Sequence, residues 1–343
     1  MIDTIKFQAP ESKALRNAVL AKHKDNPAIN YRYILEKVKT RFGSFTIKIF
    51  LSEGYMRMEL SPAKHLQGHN VFGTNRLSKL LYGVMRLIYA HFDVQYSKRE
   101  HAIYKQQGFT ILRIDLTASF LVGSQAKVVN TLNLLRQHLL ILGHDVVVHV
   151  TPEGIETIYI GKSSSRSSVK FYNKYLELLD KNKGKGKAAT AIKALPYYAD
   201  VLSYAEKVVR FEYTIRAQEL RRLELDSSLT WSGSMVSELL EGKLCKLGLS
   251  AQLIAELPAE IVSYLNEVKR NIYVRWAEGD ELRKILHPAT FTRDRKFFLI
   301  HGLDIARTHA QTPKGVVLTS RLSTEKMRMT YPTRFVETGA VFR

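Results

Sequence analysis

The chain has 343 residues, of which 45% are hydrophobic, and its 52 Lys and Arg exceed its 32 Asp and Glu by a net +20. This composition excludes a disordered chain, and the absence of any run of about 18 apolar residues excludes a membrane-spanning helix. The single cysteine excludes a disulfide framework and a cysteine-based zinc site. The positive excess favours a polyanionic partner, either nucleic acid or an acidic membrane.

The charge is unevenly distributed along the chain. Residues 219–343 hold 19 Lys and Arg and 15 Asp and Glu, a net +4, which leaves +16 of the +20 to residues 1–218. We therefore expect a domain at 1–218 that carries the main polyanion-binding surface, and a second domain at 219–343. The opening "MIDTIKFQAPESK" lacks the apolar core of a signal peptide, which favours a soluble cytosolic protein.

Alternating apolar residues predict strands, and apolar residues at helical spacing predict helices. The predicted elements, in chain order, are strands at 45–50 and 55–60, a helix at 75–92, a strand at 109–120, a helix at 124–143, strands at 144–150 and 156–161, a short strand and a short helix within 167–181, a helix at 196–207 and a strand at 208–216. This order predicts an α+β fold, with a mostly antiparallel sheet and helices on one face. The remainder is predicted to be mostly helical.

Three of the predicted strands share one pattern of arginine, carboxylate and hydroxyl at alternate positions. They are "RMELS" (57–61), "RIDLT" (113–117) and "RFEYT" (210–214). Alternation puts these polar side chains on one face and apolar ones on the other. Three half-buried strands with solvated outer faces would show the same pattern. Neighbouring strands lie about 4.8 Å apart, so Glu59, Asp115 and Glu212 could also hold one Mg²⁺ or Mn²⁺, with Arg113 and Arg210 on phosphates beside it.

The stretch "SSVKFYNKYLEL" sets Tyr172 between Lys170 and Lys174. A free phenol has a pKa near 10, and a neighbouring ammonium group favours the phenolate. Such a tyrosine could attack a metal-bound phosphate and form a phosphotyrosine. The preceding "SSSRSS", with Arg166, could hydrogen-bond phosphates. The chain has 17 tyrosines, so a packing role for Tyr172 is the alternative.

Other motifs are incomplete. "GKS" at 161–163 resembles the end of a phosphate-binding loop, but Glu156 stands where that loop requires glycine, which argues against nucleotide binding. No HExxH spacing is present. His65 and His69 fit a structural or DNA-contacting role better than a metal-binding one.

Several segments resemble, in the same order, those of the gene II protein type of replication initiators from filamentous phages. They are "SPAKHLQGHNVFG" (61–73), "LRIDLTASF" (112–120), "SSVKFYNKYLEL" (167–178) and "VVRFEYTIR" (208–216). The resemblance covers about 45–216 well and continues more weakly through 288–305. It implies a rolling-circle nuclease fold and an enzyme that nicks one strand of phage origin DNA, links a tyrosine to the 5′ phosphate, and leaves a 3′ hydroxyl as primer. The displaced strand is later cut and rejoined.

The resemblance also implies residue roles. The nucleophile falls on Tyr172, with Lys174 following it, while Tyr175 stays an alternative. The metal carboxylates map to Asp115 and Glu212, with Glu59 added from the strand pattern. The "QGHNVF" motif brings His69 and Asn70, which together with Lys170 we expect to contact DNA. The implied partners are single- and double-stranded origin DNA and host helicase and polymerase, in the host bacterial cytoplasm and away from membranes.

Two questions stay open from the sequence. The segment 287–307, with Arg293 and Lys296, could be an origin-reading helix followed by a hairpin at 315–331, a winged-helix-like arrangement. It could equally be an amphipathic helix with a solvated basic face. For the whole chain, the alternatives are a conjugative relaxase with the same chemistry and a non-catalytic single-strand-binding protein. The second leaves the carboxylates unexplained, because they repel phosphate unless a cation lies among them.

Overall fold

The computed structural model describes residues 1–24, 33–152, 154–183, 193, 197–249, 257, 259–301 and 303–306. The strands are β1 (Ile2–Pro10), β2 (Ile34–Thr40), β3 (Gly43–Phe50), β4 (Tyr55–Leu60), β5 (Thr110–Leu121), β6 (Val146–Thr151), β7 (Gly154–Ile160), β8 (Ser167–Asn173) and β9 (Val208–Arg216). The helices are α1 (Lys13–Lys22), α2 (Pro62–Gln67), α3 (Leu77–His91), α4 (Lys98–Gln107), α5 (Gln125–Ile141), α6 (Lys174–Lys183), α7 (Tyr198–Ala205), α8 (Ala217–Arg222), α9 (Met235–Lys246), α10 (Ala259–Tyr264), α11 (Glu267–Ala277), α12 (Leu282–Ile285) and α13 (Pro288–Ile300).

The nine strands form a single sheet in the order β2-β3-β4-β1-β5-β9-β8-β7-β6. Each pairing between neighbours in that order is antiparallel. This confirms the predicted fold class. The sequence patterns missed β1 and β2, and β1 lies at the centre of the sheet, between β4 and β5.

One face of the sheet carries the main core. Apolar side chains of the central strands, such as Phe7, Ile114 and Phe211, pack there against α1, α3, α4, α5 and α9. Burial of each large apolar side chain contributes about 1.5–3 kcal/mol. Ser124 caps α5, because its hydroxyl accepts a hydrogen bond from the Lys127 amide at 3.3 Å.

The polar face of the sheet is covered over its β5-β9-β8 part. Helices α6 and α7, with the segment that follows α2, form a small second layer there. Its apolar core consists of Val71, Phe72, Leu178, Val201 and Ala205. This layer adds to the predicted helices on the opposite face and encloses polar side chains of the sheet.

Packing does not break at the predicted boundary between residues 218 and 219. Leu220 of α8 and Val236 and Leu244 of α9 belong to the core of the sheet. A separate core, around Trp276 and Phe298, lies within 257–306. The change of core therefore comes after residue 249, and the division of the chain into domains at 1–218 and 219–343 stays a prediction. Among the described helices, none has both the length and the apolar character needed to cross a bilayer.

Candidate active site

Strand register brings two of the three carboxylates together. Thr117 of β5 lies opposite Glu212 of β9, and Glu212 lies opposite Lys170 of β8. Paired residues share a face, as do residues two apart on one strand. Asp115, two residues before Thr117, and Tyr172, two residues after Lys170, therefore lie on the same polar face over three adjacent strands.

The structure separates Glu59 from this pair, because β1 runs between β4 and β5. Glu59 accepts a hydrogen bond from Arg113 Nη1 at 3.0 Å, and Lys6 Nζ lies 3.4 Å from it. Arg113 also donates to both oxygens of Asp115, at 2.8 and 3.0 Å, so its guanidinium joins the two carboxylates. Within the described residues, no three His, Cys, Asp or Glu side chains are grouped as ligands for one metal. The predicted cluster of three carboxylates is thus corrected to a pair, Asp115 and Glu212.

That pair brings two negative charges together in a buried position. Asp115 is only 3% exposed. Its burial and the nearby charge of Glu212 raise the pKa of Asp115 to about 6, although Arg113 and Thr214 act in the opposite direction. A divalent cation would relieve this repulsion, and carboxylate oxygens are the ligands that Mg²⁺ prefers. The two residues therefore fit a divalent cation that keeps water or phosphate oxygens as its other ligands.

Tyr172 lies against this pair but is 3% exposed. Its hydroxyl faces Glu212 Oε2 at 3.5 Å, the long limit of a hydrogen bond. Lys170 Nζ lies 4.3 Å from the ring centroid and 3.1 Å from Glu212 Oε1. Burial, and secondarily Glu212, raise the pKa of Tyr172 well above 10, although Arg210 acts to lower it. The predicted lowering of this pKa by lysines is wrong for the protein without bound cation or DNA, because the sequence does not reveal how deeply the phenol is buried.

Arg210 was predicted to contact DNA, but its side chain is 0% exposed. Its guanidinium donates to the Val71 carbonyl and to the Thr117 hydroxyl, both at 3.0 Å, and lies 3.7 Å from Asp3 Oδ2. Arg210 and Lys174 hold the pKa of Asp3 far below its usual range. Arg210 is therefore part of a buried charge network beneath the site and not of the surface that was predicted to contact DNA.

The other members of this network come from the "QGHNVF" motif and from α6. Asn70 Nδ2 donates to both oxygens of Asp3 at 2.8 Å, and its Oδ1 accepts from Lys174 Nζ at 3.0 Å. Lys174 is buried and also pairs with Glu177. Burial and Arg210 lower the pKa of Lys174 well below its usual value. Lys174 Nζ lies over the Tyr172 ring, 5.8 Å from its centroid.

Two of the predicted DNA contacts are thus corrected to internal roles along with Arg210. Asn70 is buried between Asp3 and Lys174, and His69 is also buried. The His69 ring packs edge-on against Phe72 and Tyr197, and its burial lowers its pKa to about 4. Sequence reasoning missed Asp3; the available signal for a strand was the alternation of Lys6 and Gln8 with Ile5, Phe7 and Ala9.

The remaining predicted DNA contacts lie at the surface. Arg166 is exposed in the loop before β8, and Arg113 and Lys170 are partly exposed at the edge of the acidic pair. On α13, Arg293 and Lys296 are exposed, and Arg293 pairs with the buried Asp294. The predicted hairpin at 315–331 lies outside the described residues, so the winged-helix arrangement stays a prediction.

The sequence profile of a family described as the N-terminal part of the gene II replication-associated protein matches residues 1–234, about two thirds of the chain. The chain belongs to this family. A curated relative is the gene II-type replication-associated protein of Enterobacteria phage I2-2, which is 24% identical over 255 residues, 74% of this chain and 70% of that protein. A solved rolling-circle replication initiator protein from Geobacillus stearothermophilus has 14% identity and a TM-score of 0.32, over 71% of this chain and 83% of the other. That score is too low for residue correspondences to be taken from it.

Membership of the gene II-type family confirms the predicted recognition and a general function in replication initiation, while the rolling-circle route stays a prediction. It favours an initiator over the relaxase alternative. The matched region ends at residue 234, beyond the predicted boundary at 218 and inside the part of the chain that shares the core of the sheet. The cation, the nucleophile and the DNA contacts stay predictions for this gene II-type chain.

Proposed function

We propose that this gene II-type protein nicks one strand of origin DNA, with Tyr172 as the nucleophile. The Tyr172 oxygen attacks the phosphorus and forms a P–O bond, the bond from phosphorus to the 3′ oxygen breaks, and that oxygen takes up a proton. The products are a 5′-phosphotyrosine and a primer with a free 3′ hydroxyl. The observation that carries the proposal is that the Tyr172 hydroxyl faces Glu212, which neighbours the buried Asp115.

The attack requires a proton acceptor, because the pKa of Tyr172 is raised well above 10. Glu212 Oε2 is within reach of that proton at 3.5 Å. A divalent cation at Asp115 and Glu212 would supply charge neutralisation at the attacked phosphate. These two residues would hold it, and Arg113 keeps the Asp115 carboxylate in place through two hydrogen bonds.

DNA also has to reach the buried phenol of Tyr172, and a movement of the Lys170 side chain would expose it. Its ammonium group lies over the Tyr172 ring and is held there by Glu212. A phosphate oxygen competes with Glu212 for this ammonium group. Lys170 then moves from the ring towards the DNA, which uncovers the tyrosine and releases one oxygen of Glu212.

Rejoining follows from the same geometry. The phosphotyrosine keeps the energy of the cleaved phosphodiester bond, so a later 3′ hydroxyl can attack it, restore the DNA linkage and return the proton to Tyr172. In the proposed cycle, host helicase and polymerase extend the primer between these two steps.

The proposal predicts a covalent adduct between the protein and DNA. The full chain is incubated with Mg²⁺ and 3′-labelled oligonucleotides that tile the replicon encoding it, and labelled protein is resolved under denaturing conditions. Tyr172→Phe should give no adduct, whereas Tyr175→Phe, a matched change three residues away on α6, should still form one. An adduct with Tyr172→Phe that disappears with Tyr175→Phe would transfer the role to Tyr175. The absence of any adduct over the whole tiled set would support a non-catalytic binding protein.

A further inference from the structure

The β2-β3-β4 end of the sheet carries an aromatic row on its polar face. Phe50 of β3 lies opposite Tyr55 of β4, and their rings stack with centroids 4.7 Å apart. Tyr33, just before β2, packs against Phe50 at 5.5 Å. The Tyr33 ring is 36% exposed, and Tyr55 is partly exposed. Aromatic rings that cluster on the polar face of a sheet and reach its surface are unexpected if that face contacts only water.

A basic row runs beside the aromatic row. Lys48 lies opposite Arg57, and Lys37 of β2 is on the same face one row further along. Lys48 Nζ lies 4.6 Å from the Tyr33 ring centroid, and the Arg57 guanidinium carbon lies 5.3 Å from that of Phe50. Among the described residues, no carboxylate forms an ion pair with Lys37, Lys48 or Arg57. We call Tyr33, Phe50, Tyr55, Lys37, Lys48 and Arg57 the basic–aromatic face.

The basic–aromatic face is continuous with the candidate active site. A groove of about 510 Å³ is lined by Lys6, Lys48, Arg57, Glu59 and His65, among others. Its carboxylate, Glu59, is already paired with Lys6 and Arg113, and Arg113 reaches Asp115. The positive charge of the groove therefore leads across β4 and β1 to the acidic pair.

We infer that the basic–aromatic face binds the single strand that leads to or from the nicked phosphate. Cations that lack acidic partners suit the phosphate backbone, and exposed rings beside them suit stacking of unpaired bases. A duplex would present stacked bases that these rings cannot reach, so the aromatic row favours a single strand. This inference deepens the proposed function and rests on it for the position of the nicked phosphate.

The test compares variants of equal charge change on opposite faces of the sheet. Anisotropy of a labelled oligothymidine of about 16 nucleotides, the upper end of known site sizes, measures binding to the full chain in EDTA. Lys37→Gln with Lys48→Gln should weaken binding roughly 5- to 30-fold and reduce the slope of log K against log salt by about 1.4. The control, Lys98→Gln with Lys105→Gln on α4, should change neither value.

A second variant tests the rings. Tyr33→Leu keeps an apolar side chain but removes the stacking surface, so it should weaken binding about 5- to 150-fold with an unchanged salt slope. If Tyr33→Leu binds as the wild type does, while the lysine variant loses single strand and duplex equally, the face is a non-specific duplex surface and the inference fails. If neither variant differs from the α4 control, DNA does not bind the basic–aromatic face. An acidic protein is then the remaining occupant, and the inference fails.

This result is separable from the proposed function. Binding in EDTA needs neither cation nor nucleophile, so the binding measurement does not depend on the nicking reaction. Normal binding losses in the face variants, with no adduct from any wild-type reaction, would keep the single-strand face and reject the nuclease. An adduct formed at saturating DNA, with no binding loss in the face variants, would keep the nuclease and reject the single-strand face.

Discussion

Replacement of Asp115 by Asn should stabilise the cation-free protein at neutral pH. Asp115 has a pKa of about 6 in the fold, against an ordinary 3.8, because of burial and Glu212. The native state therefore binds this proton more tightly than the unfolded chain does. The stability that comes from the difference is complete below about pH 3.8 and is lost as the pH rises to about 6. At 1.36 kcal/mol per pKa unit, the loss is about 3 kcal/mol.

The assay is urea unfolding in EDTA at pH 4 and at pH 7. The asparagine side chain stays neutral at both values, so the stability of Asp115→Asn relative to wild type should rise by about 2 kcal/mol between them, because a small part of the loss has already occurred at pH 4. This double difference cancels any constant cost of a weaker bond to Arg113. Glu59→Gln, which removes an exposed carboxylate from the same face, is the control and should show a much smaller change.

Two results would refute this reasoning. A pH-independent difference between Asp115→Asn and wild type would mean that burial and Glu212 together do not raise the pKa of Asp115. If the stability of Asp115→Asn relative to wild type instead falls between pH 4 and pH 7, the ion pair with Arg113 outweighs burial. Added Mg²⁺ supplies a further check, since it should raise the Tm of wild type and leave that of Asp115→Asn unchanged.

Three other variants test the site and the core. Glu212→Gln should abolish Mg²⁺-dependent adduct formation, whereas Glu59→Gln should retain it, because Glu59 lies outside the acidic pair; loss in both would restore the three-carboxylate site. Arg210→Gln should destabilise the fold by about 3–5 kcal/mol in urea unfolding, since it leaves a buried carboxylate without its charged partner; a stable variant that only binds DNA less well would contradict the buried assignment. A chain ending at residue 218 should fail to unfold cooperatively on heating, whereas one ending at residue 249 should fold and form the adduct on single strands. Cooperative unfolding of the shorter chain would support the domain boundary at 218.

The strands that follow strict alternation were predictable from sequence, and so was the face that each side chain takes. Strands β3, β4, β5 and β9 all appear close to their predicted bounds. Strand β1 escaped because a register shift between Ile2 and Ile5 interrupts its alternation. Its position between β4 and β5 depends on long-range strand pairing, which no local pattern encodes. This pairing separates Glu59 from Asp115.

The candidate site was predictable only in part for a related reason. Alternation assigns Arg210 and Glu212 to the polar face, but it does not say what covers that face. Helices α6 and α7, with the segment that follows α2, bury Arg210 and Lys174 and leave Lys170 and Arg113 partly exposed. The exposed arginine and lysine thus fit the predicted DNA contacts, while the buried ones serve the charge network that holds Asp3 and Asn70.

The central position of β1 also governs how the protein is made. Ile5 of β1 pairs with Leu60 and with Ile114, and β5 must then pair with β9, which begins only at Val208. Pairings so distant in sequence close large loops before they gain stability, so folding should be slow. Until β4 and β5 are synthesised, β1 lacks its partners and its apolar side chains stay exposed. Because Asp115 and Glu212 meet only after β9 is synthesised, a fragment that ends before β9 lacks the acidic pair on which the proposed nicking depends.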